Sequence, residues 1–431
     1  MTLRYTSVPP GAPVKKGFDI LPTAFVGRPE VMPPDTVPYR SLYSYPWDVI
    51  EVVPSRLGEI VSAQGLNALT LAISYHAGKF LRPESKTGRV YFPEDGAVYF
   101  NPEPSRYGKI KPFPHPKQEL REVAVHLSDK SGLSVNAWTV LFHNTRLGDS
   151  YPDETVRDAW GDRYRYSLCP VNPHVADYGV ALVSDIAAAL TPSSIVVETP
   201  GFLPYAHGFH HEFAQVQSQR WIEMLLGLCF CDHCLNESHR DTGIDSHSLR
   251  VRVASMADAY LESPSEVPSD MAYAWITGDI LADPELATFL QWRIQRVSDF
   301  IKRLRATLPD DTPLAVIPTV QRPTAATWIE GSSLREIATA ADYLEVPFYE
   351  PAASRAISDA WDTLRRAGGD PAKIRAILRP GPPDLDGGRE TATAVKGLAE
   401  LGIRNFAFYN WGLLRKHDFG RIGAALKTVP S

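Results

Sequence analysis

The sequence predicts an α/β protein: a closed (β/α)8 TIM barrel with long loops after several strands and a helical insertion after the fourth. Three observations predict it. Four short apolar runs in the C-terminal third, Leu314–Pro318, Tyr343–Phe348, Ile374–Leu378 and Arg404–Phe408, begin 29, 31 and 30 residues apart (343 − 314, 374 − 343, 404 − 374). A strand, a crossover helix and the next parallel strand need roughly that length, about 30 residues. Helical segments lie between the runs, such as Ala394–Leu401, where Val395, Leu398 and Ala399 share a face. Lastly, no glycine-rich phosphate loop follows the early strands, which disfavours an open doubly wound sheet and any organic nucleotide cofactor.

The same unit repeats through the chain. Ser41–Tyr45 is strand one, followed by a helix at Val52–Ala63. Leu69–Tyr75 is strand two, with a helix at Lys117–Leu127. Strand three, Ser134–Phe142, precedes the helix Val175–Ala189, in which Tyr178, Leu182 and Ile186 share a face. Ser194–Glu198 is strand four, and the runs already named supply strands five to eight before a last helix, Phe419–Thr428. Residues 1–40 are read as an N-terminal extension and 41–431 as one catalytic barrel. Within it, 199–288 is an inserted helical, zinc-bearing subdomain. The long segments Gly78–Pro116, Thr145–Asn172 and Thr199–Thr288 all follow strands, so they wall the C-terminal mouth, where barrel active sites are built.

Composition narrows the function. The 431 residues carry 44 Lys and Arg against 50 Asp and Glu, a formal charge of −6, with 44% hydrophobic residues. That hydrophobic content supports a full core and argues against extensive disorder. The missing basic excess argues against nucleic acid as a partner, and no run approaches the roughly 18 apolar residues of a membrane span. Met1–Lys16 is polar and lacks the apolar stretch of a secretory signal, which points to the cytoplasm. Homo-oligomer formation is left open.

Polar and aromatic residues cluster at the strand ends. Strand two ends Tyr75-His76, strand three His143-Asn144, strand four Val197-Glu198, strand six Tyr349-Glu350 and strand eight Asn410-Trp411. Carboxyl, imidazole, amide and indole groups ringing one mouth suit the binding and splitting of a sugar. Glu198, carried on the apolar run Ile195–Val197, is expected to be the catalytic acid/base, since a buried carboxylate is costly unless paired or functional. Its expected partner is Glu350, then Glu345, with Asp384 and Asp386 behind them. His76, His143, Asn144, His210, His211, Tyr349 and Asn410 are expected to contact substrate, and Trp411 to stack on a sugar face. The bland reading of Glu198 is an ion pair with a loop arginine such as Arg322.

Cys229-Phe-Cys-Asp-His-Cys234 brings three thiols together as C-x-C-x-x-C. That spacing suits a tetrahedral structural zinc, with Cys169 or His233 as fourth ligand. A lone cysteine before the strand-four Glu and C-x-C-x-x-C after it resembles the family-42 β-galactosidases, which are clan-A barrel glycosidases. The resemblance implies zinc held by Cys169, Cys229, Cys231 and Cys234, with Glu198 as acid/base. The clan's Asn before the acid/base is Val197 here. Its strand-seven nucleophile Glu is replaced by Arg379-Pro380-Gly381, so β-galactosidase specificity is not carried over.

The leading expectation is a glycoside hydrolase acting on an oligo- or polysaccharide through two carboxyl groups. Two alternatives stand beside it. One is a metal-dependent amide or ester hydrolase using the cluster His207, His210, His211 and Glu212, with His76 and His143. The other is a non-catalytic carbohydrate-binding barrel.

Overall fold

A computed structural model of the chain describes residues 37–209, 214–264, 266–385 and 387–429. Eight parallel strands form the centre: β1 (Arg40–Ser44), β2 (Ala68–Tyr75), β3 (Ser134–Val140), β4 (Ser194–Glu198), β5 (Leu314–Val316), β6 (Tyr343–Pro347), β7 (Ile374–Leu378) and β8 (Asn405–Phe408). Each pairs with its sequence neighbours, and β1 also pairs with β8, Ser41 opposite Ala407 and Leu42 opposite Phe408, which closes the barrel. The strands read as apolar runs because a closed sheet ringed by helices is buried on both faces. β1 begins at Arg40, one residue before the sequence reading put it. β5 ends at Val316, shorter than expected, because Pro318 has no N–H to continue the ladder.

The outer helices are α1 (Pro54–Ser62), α2 (Val123–Lys130), α3 (Pro173–Leu190), α4 (Pro284–Ala306), α5 (Leu334–Ala340), α6 (Ala353–Arg366), α7 (Gly388–Glu400) and α8 (Lys416–Leu426). Local chemistry sets their starts. Asn172 caps α3 by accepting from the His174 N–H, and Asp283 caps α4 by accepting from the Glu285 and Leu286 N–H groups. Pro173 and Pro284 stand at the first helical positions, where the missing N–H costs nothing. The helix expected at Lys117–Leu127 is instead two, a single turn Gln118–Arg121 and then α2. Between β4 and α4 the inserted helices Arg220–Leu226, Asp232–Thr242, Ser246–Glu262 and Ser269–Ala282 stack beside the mouth.

The floor of the barrel is polar, and its buried carboxylate is paired. Glu345, fully buried on β6, accepts from the hydroxyls of Tyr39 and Tyr43, each at 2.9 Å, and from Arg375 Nη1 at 3.3 Å. Arg375 lies opposite it on β7, its guanidinium 4.0 Å from the ring centroids of both Tyr39 and Tyr343 and within reach of Ser194 Oγ. Removing one member of a buried ion pair strands the other in low dielectric. Glu345→Ala should therefore lower unfolding free energy by about 3–5 kcal/mol in urea titration. The double change Glu345→Met/Arg375→Met should recover most of that loss.

Candidate active site

Glu198 ends β4 at the C-terminal mouth, and its neighbours come from strand ends all round the barrel. The Trp138 indole on β3 donates to Oε2 at 2.7 Å. Oε1 takes no hydrogen bond among the described residues. Below lies an aromatic layer. Tyr45 packs against Trp138 and Tyr75, and its hydroxyl meets those of Tyr75 at 2.9 Å and Tyr409 at 2.5 Å. The negative charge of Glu198 acts on the hydroxyls of Tyr75, Tyr349 and Tyr409, helping to hold their protons. Burial in this aromatic cup pushes the Glu198 carboxyl up to about 7, opposed by the Trp138 N–H.

A second carboxyl, one the sequence reading did not weigh, shares this environment. Glu330 closes a short 3-10 stretch, Thr324–Glu330, after β5 and is 3% exposed. Its Oε1 accepts from Thr319 Oγ1 at 2.5 Å and from the Val320 N–H at 3.1 Å. Oε2, like Glu198 Oε1, takes no hydrogen bond among the described residues. Burial pushes Glu330 up to about 7; the Glu198 charge adds to the rise, while the Thr319 and Val320 donors and the Arg322 charge resist it.

Backbone packing fixes the two segments together. Directly after Glu198, Thr199 takes a left-handed conformation (φ 53°), unusual for a β-branched residue and costing on the order of 1–3 kcal/mol. The turn lays Gly201–Phe202 on the end of the 3-10 stretch. The Phe202 N–H donates to the Glu330 carbonyl at 2.9 Å, and a Cβ at Gly201 would lie 2.3 Å from that oxygen. Only glycine permits this approach.

The other expected residues fall into distinct places. Glu345 does not reach the mouth: its two-residue offset down β6 puts it in the floor network, fully paired. Glu350 is buried near the mouth but grips Arg355 at 2.7 Å, and its charge acts on Arg322, Asp359 and Asp384 rather than on Glu198. Asn144 is a helix cap, its Oδ1 accepting from the Leu147 N–H at 2.9 Å and its amide packed on Gly96. Asn410 likewise caps the turn Trp411–Leu413 and is fully buried. Trp411 turns outward against Phe419 and lines a cavity of about 600 Å³ beside α1 and α8, with Asp48, Glu51 and Arg82. Neither Glu198 nor Glu330 lines that cavity. Tyr349 remains at the mouth, with the guanidinium carbons of Arg379 and Arg322 4.2 and 5.4 Å from its ring centroid.

His76 and His143 are neighbours, as their adjacent strands require, with rings stacked at 4.0 Å. His143 Nε2 lies 2.9 Å from the Gly208 carbonyl oxygen, and its ring meets that of His207 edge-on. His210, His211 and Glu212 lie outside the described residues, as does Asp386.

The four cysteines converge. Cys169, Cys229, Cys231 and Cys234 are buried, their sulfurs all within 4.8 Å of one another, a donor set able to hold a metal ion. Buried Arg293 supplies a positive charge felt by this cluster and donates Nη2 to the carbonyls of Gly227 and Ile329, at 3.2 and 3.1 Å. A cation beside four thiols fits a metal-tetrathiolate, which carries net negative charge.

A carboxyl with a raised pKa keeps its proton in the folded chain after the unfolded chain has released it. Stability then falls as pH rises from about 4.5, the unfolded value, to about 7. Glu330→Gln should flatten this decline, leaving the variant more stable than the parent at pH 8 by up to about 3 kcal/mol. Urea titrations at pH 4.5 and 8 measure the difference.

No protein-family model and no curated protein matches the chain. Among solved structures it is similar to the PgaB (BpsB) glycoside hydrolase domain from Bordetella bronchiseptica, with a TM-score of 0.57 and 15% identity, covering 90% of this chain and 99% of that one. It is also similar to the catalytic domain of β-amylase from Paenibacillus polymyxa, at TM-score 0.55 and 11% identity over 92% of this chain and 100% of that one. Against α-L-fucosidase isoenzyme 2 from Paenibacillus thiaminolyticus the TM-score is 0.50 and the identity 12%, over 91% of this chain and 49% of that one. What these likenesses share with the chain is the fold.

Proposed function

We propose that the protein is a glycoside hydrolase using Glu198 and Glu330 as its two carboxyl groups. The observation that carries the proposal is the pair itself: two acids at the mouth, each with one oxygen held by a protein donor and the other unclaimed. With both carboxyls pushed up to about 7, and the charge of Glu198 adding to the rise at Glu330, protonated and ionised forms are both populated near neutrality. One is then an acid and the other a base or nucleophile, the division of labour that glycoside cleavage needs. Glu198, held by the Trp138 N–H, is assigned as the acid that protonates the leaving oxygen. Glu330, with two donors and Arg322 nearby to favour its ionised form, is assigned as the carboxylate. Similarity in fold to a glycoside hydrolase domain, a β-amylase and a fucosidase is consistent with this reading. Tyr349, His76 and His143 remain candidates for sugar contacts.

The four-cysteine site is proposed to hold a structural zinc. Four buried thiols leave no open position for substrate, so the metal would brace the insertion rather than take part in bond cleavage. The C-x-C-x-x-C likeness to family-42 enzymes supports the choice of metal.

Glu198→Gln and Glu330→Gln should each cut kcat on a panel of aryl glycosides and oligosaccharides by about 10²–10⁴-fold. Glu350→Gln should cost less than about tenfold. Parent activity should fall above about pH 7 as the Glu198 acid loses its proton. Full turnover by either of the first two variants would remove that residue from the mechanism. For the metal, elemental analysis should find one zinc per chain. Cys234→Ser should lose it and lower the melting temperature, while brief chelator treatment of the intact parent should leave turnover unchanged.

A further inference from the structure

Three side chains on one face of α4 run from the cysteine site to the segment that carries Glu330. Phe289, Arg293 and Val297 are four residues apart (293 − 289, 297 − 293), so they lie one above another along the helix. All three are buried. The Phe289 ring stacks on Phe230, the residue between Cys229 and Cys231, with centroids 5.2 Å apart and planes 3° from parallel. Arg293 Nη2 donates to the carbonyls of Gly227, at 3.2 Å, and Ile329, at 3.1 Å. Val297 Cγ2 stands 3.1 Å from where a Cβ on Gly331 would be and 3.5 Å from one on Gly201. Glu330 is thereby bracketed by α4. The carbonyl of its predecessor is held by the Arg293 guanidinium. Its successor, Gly331 (φ 72°), lies against the Arg293 carbonyl, which is 3.3 Å from where a Cβ would be. Phe202, whose N–H binds the Glu330 carbonyl, lies under the same guanidinium, 4.2 Å from its ring centroid.

The charge on Arg293 needs an account of its own. Among the described residues it forms no ion pair with a carboxylate, and the charges that act on it are those of Cys234, Cys229 and Cys169. An isolated cation in a dry interior is costly. Four neutral thiols give it no counter-charge. A divalent metal ion is bound by thiolates, and four of them leave a centre of net negative charge. A cation beside such a centre is matched. The hydrogen bonds of Arg293 therefore go to two carbonyls, one of them on Gly227 at the end of the helix Arg220–Leu226, while its charge faces the cysteines.

We propose that Arg293 is the counter-ion of the metal-thiolate centre and the positioning residue through which that centre fixes Glu330. The part concerning Glu330 rests on its reading as one of the two reacting carboxyls; the part concerning the cysteines does not. Arg293 acts by charge on one side and by geometry on the other. The two roles separate by substitution. Lysine keeps the charge and loses the planar head that reaches both carbonyls, whereas methionine fills much of the space and loses both.

The test uses the full chain purified with its metal. Transfer of zinc to a chromogenic chelator is timed under native conditions, beside elemental analysis and melting curves. Arg293→Met should release the metal at least about tenfold faster than the parent, and Arg293→Lys should stay within about threefold of it. On the glycoside panel both variants should lose kcat by about 10–100-fold, with KM changed by less than about threefold. In a Glu330→Gln chain the same replacements should cost less than about twofold more in kcat, because a residue that acts through Glu330 has nothing left to act through. Equal losses in the two backgrounds show that Arg293 serves the fold at large and overturn the positioning role. Metal release unchanged in Arg293→Met, or a parent that holds no metal, overturns the counter-ion role. If Arg293→Met does not fold, Arg293→Gln supplies the neutral side chain for the metal measurement and Arg293→Lys carries the comparison of backgrounds. A parent that cleaves no glycoside overturns the hydrolase reading, and the link to Glu330 is then read from unfolding at pH 8. Replacing Arg293 should there shrink the stability gained by Glu330→Gln by at least about half, since a loosened segment lets the ionised carboxylate reach water; additive effects overturn the link.

Discussion

Two carboxyl groups, the charge of one acting on the other, form the constraint around which the upper half of this barrel is arranged. Neither Glu198 nor Glu330 has an ion-pair partner among the described residues, and the charge of Glu198 disfavours the ionised form of Glu330. Left to itself such a pair would separate, admit water or acquire an ion-pair partner. The chain prevents separation with backbone. The left-handed turn at Thr199 folds the segment after β4 onto the end of the 3-10 stretch. The Phe202 N–H then binds the carbonyl of the same residue whose side chain faces the mouth. The strain at Thr199 and the cost of the two acids are met at one place in the fold.

The insertion explains why that place is rigid. Arg293, on α4, is 1% exposed and reaches Ile329, the residue before Glu330. Its other carbonyl partner is Gly227, two residues before the first cysteine of the C-x-C-x-x-C run. Its guanidinium lies 4.2 Å from the centroid of the Phe202 ring. One buried arginine thus touches the segment after β4, the segment carrying Glu330 and the approach to the cysteine cluster. The four sulfurs in turn tie Cys169, at the end of the loop after β3, to the insertion after β4. The cysteine site differs in chemistry from the Glu198 and Glu330 carboxyls, yet one residue connects it to their support.

Much of this was readable in the sequence, and the limits have physical reasons. The barrel was legible because strand length, crossover length and two-sided burial all leave local patterns. Glu198 was legible because it follows three apolar residues on a strand whose end must face the mouth. The cysteines were legible from spacing alone. Glu330 was not, since it lies 14 residues past the end of β5 (330 − 316), at the end of a 3-10 stretch too short for a period to mark a side chain as inward. Trp411 and Asn410 misled for a related reason. Proximity to a strand end fixes where the backbone is, whereas the cap and the turn that follow decide where the side chain goes. Glu345 illustrates the period of two: an inward position on β6 is as easily floor as mouth, and Tyr39, Tyr43 and Arg375 were needed to show which.

The contrast between floor and mouth gives the strongest ground for reading the mouth as functional. Both ends of the barrel bury acidic groups. At the floor, evolution matched Glu345 with two hydroxyls and an arginine, and matched that arginine with two aromatic rings and a serine. The same chain therefore has the means to satisfy a buried carboxylate fully. At the mouth it leaves Glu198 with one indole donor and Glu330 with donors on one oxygen only, while Arg322 stands near without closing the gap. A structural role gives no reason for that difference, because a donor on the second oxygen of each acid would stabilise the fold. Unclaimed acceptors are instead what a ligand requires, since every group already satisfied by protein has to be released before it can bind. We read the unclaimed oxygens of Glu198 and Glu330 as the feature that a substrate would complete.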